Sequence, residues 1–262
     1  MKLTVLGCHG GESPTHRMTT FLIDDDISID AGSLCRGLDL EQQYKISHVL
    51  ISHTHLDHIS DLAFLADNVI GIRPDPVTLH CTENTQKVLQ EHFFNNKVWP
   101  DFTRIKIPKT DLSVLQYSIF KPGVDFTVGK YTVRGTQVHH PVESMAMLFK
   151  WNEGGKTGSI GYSSDTGPTD AFWAEIAEQK DLRALLLECS FPLELQWLAD
   201  VSGHLSPKTM HETVQKAKLG PNVPILLYHG KPSHLHVLKN EVRALGDERM
   251  TMLKPNDKFE FA

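Results

Sequence analysis

The chain is 262 residues long, 40% hydrophobic and 22% charged, with a formal net charge of −6. That composition belongs to an ordinary folded chain; it holds no apolar run near the ~20 residues of a membrane helix, and no basic stripe that would neutralise the phosphates of a nucleic acid. Four widely spaced cysteines, Cys8, Cys35, Cys81 and Cys189, form no CxxC pair and read as reduced thiols rather than as a disulfide framework or a thiolate zinc site.

Residues 1–7 read as a short strand running into Gly10-Gly11. The long apolar stretch and cleavage site of a secretory leader are missing, so the expected location is the cytoplasm, with no membrane association. Phe21-Leu22-Ile23 and Ile27-Ser28-Ile29 flank Asp24-Asp25-Asp26 as a hairpin, and Ile29-Asp30-Ala31-Gly32 then enters a loop. The apolar run Val49-Leu50-Ile51 leads into His53-Thr54-His55-Leu56-Asp57-His58. Imidazole nitrogens and a carboxylate packed this densely are ligands for zinc and related divalent ions. His53 and His55 project to one side of an extended segment, because strand side chains repeat every two residues. Asp57 and His58 follow as the chain turns, placed for a second ion.

Thr82 is a helix cap for a segment with Val88, Leu89 and His92 on one face. The aromatic segment Phe93-Phe94 to Trp99 reads as a loop packed over the fold or against a partner chain, in preference to a base-stacking platform. Phe126-Thr127-Val128 and Tyr131-Thr132-Val133 flank Gly129-Lys130, a tight two-residue turn. Asn152 to Gly158 is turn-rich. Thr169 or Asp170 caps a helix that buries Phe172, Trp173, Ile176 and Ala177. Ser206-Pro207 opens the clearest helix, with Met210, Val214 and Ala217 at helical spacing and a stop at Gly220. No repeat or linker divides the chain, so residues 1–262 are read as one domain. Strands alternate with helices, which favours an α/β arrangement of two helix-covered sheets over an all-β sandwich.

Two ions need more ligands than one motif holds. In α/β folds ligands gather at the carboxyl ends of strands, and three further residues sit directly after strand-like runs: His140, Asp165 and His229. His139 adjoins His140, Asp165 also suits a turn cap, and His234 and His236 form a second HxH pair, read as surface histidines near a helix start because no apolar strand precedes them. His204, just before a helix N-terminus, reads as a phosphate contact or proton donor. Glu188, at the end of the run Ala184 to Leu187, is read either as the group that orients His204 or as an unrelated surface acid.

These residues resemble the metallo-β-lactamase superfamily, in which HxHxDH, a lone histidine, an aspartate and a last histidine occur in this order. Within it the chain is similar to the class II cyclic-nucleotide phosphodiesterases, through residues 52–60, His92-Phe93-Phe94-Asn95-Asn96-Lys97-Val98-Trp99-Pro100, Leu187-Glu188-Cys189-Ser190-Phe191-Pro192, Gly203-His204-Leu205-Ser206-Pro207 and His229-Gly230-Lys231-Pro232. The resemblance implies a four-layer αββα sandwich with two divalent ions at one edge. It places His53, His55 and His140 on the first ion, Asp57, His58 and His229 on the second, and Asp165 between them. Gly230 departs from the bulkier residue usual after the last histidine, which is expected to loosen that loop. Transfer-RNA-processing relatives share the Gly-His-Leu-Ser histidine but carry an added basic arm, and no such insertion is found.

The implied reaction is hydrolysis of a 3′,5′-cyclic nucleotide, cAMP or cGMP, to the 5′-monophosphate. Metal coordination lowers the pKa of water toward ~7, making hydroxide available at neutral pH. Asp57 orients that hydroxide, and His204, steered by Glu188, stabilises the phosphate or protonates the leaving oxygen. Zinc suits the mixed N/O ligand set best, and manganese or iron also fits. The expected partner is a small cyclic nucleotide, with no nucleic acid; a homodimer is expected from the aromatic segment and the resemblance. The competing readings are a dinuclear hydrolase of another phosphodiester or a lactone, and a metal-holding binder without turnover.

Overall fold

The structure, a computed structural model, describes residues 1–261. Its strands are β1 (Lys2–Gly7), β2 (Thr20–Ile23), β3 (Ile27–Ile29), β4 (His48–Leu50), β5 (Val77–Cys81), β6 (Leu115–Ile119), β7 (Asp125–Val128), β8 (Tyr131–Val138), β9 (Ser144–Glu153), β10 (Lys156–Tyr162), β11 (Leu182–Glu188), β12 (Ile225–Tyr228), β13 (Met250–Met252) and β14 (Lys258–Glu260). They form two seven-stranded sheets, ordered β14-β1-β2-β3-β4-β5-β6 and β13-β12-β11-β10-β9-β8-β7. Each sheet is antiparallel on one side and parallel on the other: β3 to β6 run parallel in the first, β10 to β13 in the second.

The helices are α1 (Leu34–Gly37), α2 (Leu40–Gln43), α3 (Leu56–Ile59), α4 (Asp61–Val69), α5 (Glu83–His92), α6 (Ala171–Ala177), α7 (Gln196–Ser202), α8 (Pro207–Ala217) and α9 (Leu235–Ala244). Three cores separate the layers. Phe21, Ile29, Leu50, Met147, Phe149, Tyr162, Leu186 and Tyr228 lie between the sheets. Val49, Leu62, Leu65, Ala66, Leu79 and Leu89 lie between the first sheet and its helices, and Leu185, Leu187, Phe172, Trp173, Met210 and Val214 do the same for the second. The period of two explains the division: Val49 and Leu50, or Leu186 and Leu187, point to opposite faces, and both faces are covered. This is the α/β sandwich, αββα, that the resemblance implied.

Local chemistry sets the helix bounds. The Ser206 hydroxyl accepts from the Thr209 N–H while Thr209 Oγ1 accepts from the Ser206 N–H at 3.0 Å, a reciprocal cap with Pro207 in the first turn. Met210, Val214 and Ala217 are buried as expected, but the helix stops at Lys218, which turns left-handed at φ 47, before Gly220 is reached. On α5, Thr82 does cap the helix by accepting from Thr85 N–H, and Leu89 is buried, but the inner face is completed by Thr85; the His92 side chain is 72% exposed. Asp170 starts α6 without a capping bond and pairs with Lys216 at 2.7 Å instead. Phe93 and Phe94 are buried and the partly buried Trp99 packs edge-on against Phe64, so the aromatic segment covers its own sheet.

Candidate metal centre

The parallel strands deliver the site. Past the carboxyl end of β4 come His53 and His55, and the single turn α3, opened at His55, carries Asp57 and His58 back beneath them. His140 follows β8, Asp165 follows β10, Glu188 ends β11, and His229 follows β12. All seven expected ligand residues converge. His53, His55 and His140 form one group, and Asp57, His58, Asp165 and His229 a second, each with its nitrogen or oxygen atoms within 4.8 Å of one another. Asp165 joins the two: its Oδ2 lies 3.7 Å from His53 Nε2, 3.2 Å from His58 Nε2 and 3.0 Å from His229 Nε2.

The outer nitrogens of four of these rings are held. His58 Nδ1 is 2.8 Å from Asp30 Oδ2, and His140 Nδ1 donates to the Gly203 carbonyl at 2.9 Å. His229 Nδ1 is 2.9 Å from Ser190 Oγ, and His53 Nδ1 is 3.0 Å from Ser52 Oγ. A neutral imidazole has one N–H. Where Nδ1 donates outward, Nε2 turns a lone pair inward. His229 Nε2 faces Asp57 Oδ2 at 3.1 Å as well as Asp165, so lone pair meets anion unless a cation lies between. His53 Nε2 and both oxygens of Asp165 are buried without a hydrogen-bond partner. Orphaned buried polar atoms are rare and call for an explanation; a donor set of imidazole nitrogens and carboxylate oxygens fits a divalent ion.

The electrostatics make the same demand. Burial works to raise the Asp57 and Asp165 carboxyls, but hydrogen bonding by His229 beside Asp57, and the charges of His229 and His58 beside Asp165, hold both below the usual carboxylate range. Burial works to lower His58 and His229, and the Asp165 carboxylate outweighs it and raises both. His53 is pushed well down by burial and then by His58, and burial pushes His140 down to about 4. Two rings beside the carboxylates thus favour positive charge while His53, His55 and His140 disfavour it, so the cluster draws positive charge toward Asp57 and Asp165.

His204 is buried over this cage, its ring 5.1 Å from those of both His140 and His229. Its Nδ1 donates to Glu188 Oε1 at 2.8 Å, so Glu188 is the group that orients His204 and not a surface acid. His236, by contrast, is exposed on α9 beside Asn240, and His234 is half-exposed, as expected of that later pair. Gly230 does not loosen its loop: a Cβ there would come within 2.7 Å of Leu235 and 3.0 Å of Leu238, so the backbone packs directly on α9. Gly10 is equally confined, since a Cβ would stand 2.6 Å from the His229 ring.

Sequence reasoning missed Asp30. It is fully buried and accepts four bonds, from Ser52 N–H and Ser52 Oγ at 2.8 Å each, from Tyr162 OH at 2.6 Å and from His58 Nδ1. Its backbone is left-handed (φ 57), as are those of Ser164 (φ 55) and His229 (φ 69). Left-handed non-glycine residues cost about 1–3 kcal/mol each and gather at functional sites. An acid at a strand end, immediately before the turn at Ala31-Gly32, was the only sign of Asp30 in the sequence.

The chain is similar to several known proteins. The model of the family "cAMP phosphodiesterases class-II" matches residues 38–220, more than two thirds of the chain. A probable 3′,5′-cyclic-nucleotide phosphodiesterase of Yersinia pestis is 26% identical over 284 residues, covering 88% of this chain and 78% of that protein. The fold is similar to unliganded yeast PDE1 (TM-score 0.78, 19% identity, 98% of both chains) and to the metallo-beta-lactamase fold protein YhfI of Bacillus subtilis (TM-score 0.76, 20% identity, 99% of both chains). The chain is a phosphodiesterase with a metallo-β-lactamase fold and belongs to the class II family of cAMP phosphodiesterases.

Proposed function

We propose that the protein hydrolyses 3′,5′-cyclic nucleotides, cAMP or cGMP, to 5′-monophosphates with two divalent ions, zinc by preference. His53, His55 and His140 would hold one ion and Asp57, His58 and His229 the other, with the Asp165 carboxylate placed to contribute to both. The observation that carries the reading is the convergence of the unpartnered His53 Nε2 and Asp165 oxygens on the inward lone pairs of His58 and His229. When bound, the ion pair supplies a lowered pKa for water and a positive template for an in-line displacement at phosphorus. The chain's own part is positional. Asp57, with a partly exposed side chain at the mouth of the cage, aims the attacking water. His204 carries the proton for the ribose 3′ oxygen on Nε2, because its Nδ1 is committed to Glu188.

The test is turnover of cAMP, cGMP and a generic aryl phosphodiester by purified protein, with elemental analysis of the same sample. Hydrolysis of at least one cyclic nucleotide, with about two ions per chain, is expected. Turnover of the aryl ester alone would move the assignment to another phosphodiester, and activity on a lactone in its place would move it to lactone hydrolysis. A chain inert on every ester, as wild type and as Asp57→Ala, would be a binder.

The reading also takes residues 1–262 as one domain, which one cooperative unfolding transition checks. It takes the chain as a homodimer on family likeness alone, which light scattering reads. No helix among the described residues is long and apolar enough to cross a membrane, and the proposed location is the cytoplasm.

A further inference from the structure

Two buried serines occupy matching places in the two sheets. Ser52 Oγ donates to Asp30 Oδ2 at 2.8 Å and lies 3.0 Å from His53 Nδ1. Ser190 Oγ donates to Glu188 Oε2 at 2.6 Å and lies 2.9 Å from His229 Nδ1. Both serines are fully buried. A hydroxyl has one proton to give. Each serine gives it to a carboxylate, so each can only accept from its imidazole, and in a neutral ring the other nitrogen then faces inward without a proton.

The second relay does more than the first. Glu188 holds His204 directly through Oε1 and His229 indirectly through Ser190 on Oε2, while the Thr166 N–H donates to Oε1 at 3.0 Å. Ser190 Oγ is also 3.2 Å from His204 Nδ1. One carboxylate therefore sets two imidazoles with different tasks, one aimed at an ion and one at the substrate.

We propose that Ser190 is a positioning residue which, by splitting the two oxygens of Glu188 between His229 and His204, fixes the metal-facing form of His229 while keeping His204 aligned on the leaving oxygen. Removing the hydroxyl leaves His229 Nδ1 and Glu188 Oε2 buried and unpaired. Glu188 is then free to swing both oxygens onto His204, and the ring of His229 loses its fixed tautomer.

The inference rests on the ion-binding reading above, so its test starts with an ion and not with a cyclic nucleotide. Zinc affinity of wild type, Ser190→Ala and Ser190→Thr is measured by competition with a chromophoric chelator. Turnover of an alkyl phosphodiester, whose leaving oxygen needs a proton, is followed at saturating zinc with kcat and KM separated, and thermal unfolding of the zinc-free proteins is recorded alongside. Loss of an outer partner to a metal-binding imidazole weakens binding about 10–100-fold. That loss is expected for Ser190→Ala, together with a fall in kcat at nearly unchanged KM, and Ser190→Thr is expected to restore most of both. Wild-type affinity and kcat in Ser190→Ala overturn the proposal. So does a Ser190→Thr no better than Ser190→Ala at an unchanged thermal midpoint, since the hydroxyl would then be irrelevant. Wild-type protein that binds no zinc overturns the site reading itself, and the role of Ser190 falls with it.

Discussion

The two sheets build the two sides of one cage by different means. On the first side, four of the ligand residues lie within His53 to His58, and the buried Asp30 anchors the loop by bonding Ser52, His58 and the Tyr162 hydroxyl. On the second side, His140, Asp165, Glu188 and His229 each come from a different strand end, and the relay through Ser190 joins the last two. Every partner of Asp30 points into the structure; one partner of Glu188, His204, lies over the cage beside His140 and His229. The first side is a holder. The second holds and, on the function proposed above, also moves a proton.

That contrast can be broken most severely at the residue both sides share. Asp165→Ala removes the only carboxylate common to the two groups, and the loss of several kcal/mol of charge stabilisation predicts a fall in kcat/KM of at least about 10³-fold; a smaller loss with wild-type metal content would deny Asp165 its bridging place. Next comes His204→Gln, which should cost about 10²-fold or more on a cyclic nucleotide, whose alkoxide needs a proton, and little on an aryl ester with a good leaving group. Equal losses on both substrates would make His204 a phosphate contact. Asp30→Asn should weaken zinc binding about 10–100-fold while leaving the ratio of aryl to cyclic turnover unchanged, because no partner of Asp30 touches the substrate.

One further effect lies away from the cage and touches stability alone. His48 and His80 sit on neighbouring strands of the first sheet with Nδ1 and Nε2 3.1 Å apart. Burial, and then the neighbouring His48, press His80 from 6.5 down to about 4. Above pH 6.5 neither folded nor unfolded chain protonates it and stability is flat. As pH falls through 6.5 the unfolded chain takes the proton first, so stability declines until about pH 4, by about 3 kcal/mol in all. Denaturant titrations at pH 7 and pH 4.5 should show this decline shrinking in His80→Phe. An undiminished decline would assign acid sensitivity to the cage alone.

How far the sequence could be read follows the same contrast. The first side was legible because its ligands are contiguous: three imidazoles and a carboxylate in six positions leave few other meanings. His140, Asp165 and His229 were legible one step more weakly, from apolar runs ending in a polar side chain. Asp30 was not, because Ser52, His58 and Tyr162 stand 22, 28 and 132 residues away in the chain, and nothing local marks them as its partners. Ser190 stands in a family-like block, but its chemistry is not legible there, since a serine after a cysteine has no distinguishing spacing. The misjudged helix face at His92 and the early stop at Lys218 are of another kind, in which packing and a left-handed residue overrode local propensity.

The left-handed backbones of Asp30, Ser164 and His229 are held in place by packing around a cluster of facing anions and lone pairs. Whatever binds that cluster adds its own free energy to the folded state alone. The cell's supply of the ion would then govern how many copies of the enzyme escape proteases as well as how fast each copy works, so that scarcity would act on abundance before it acted on rate.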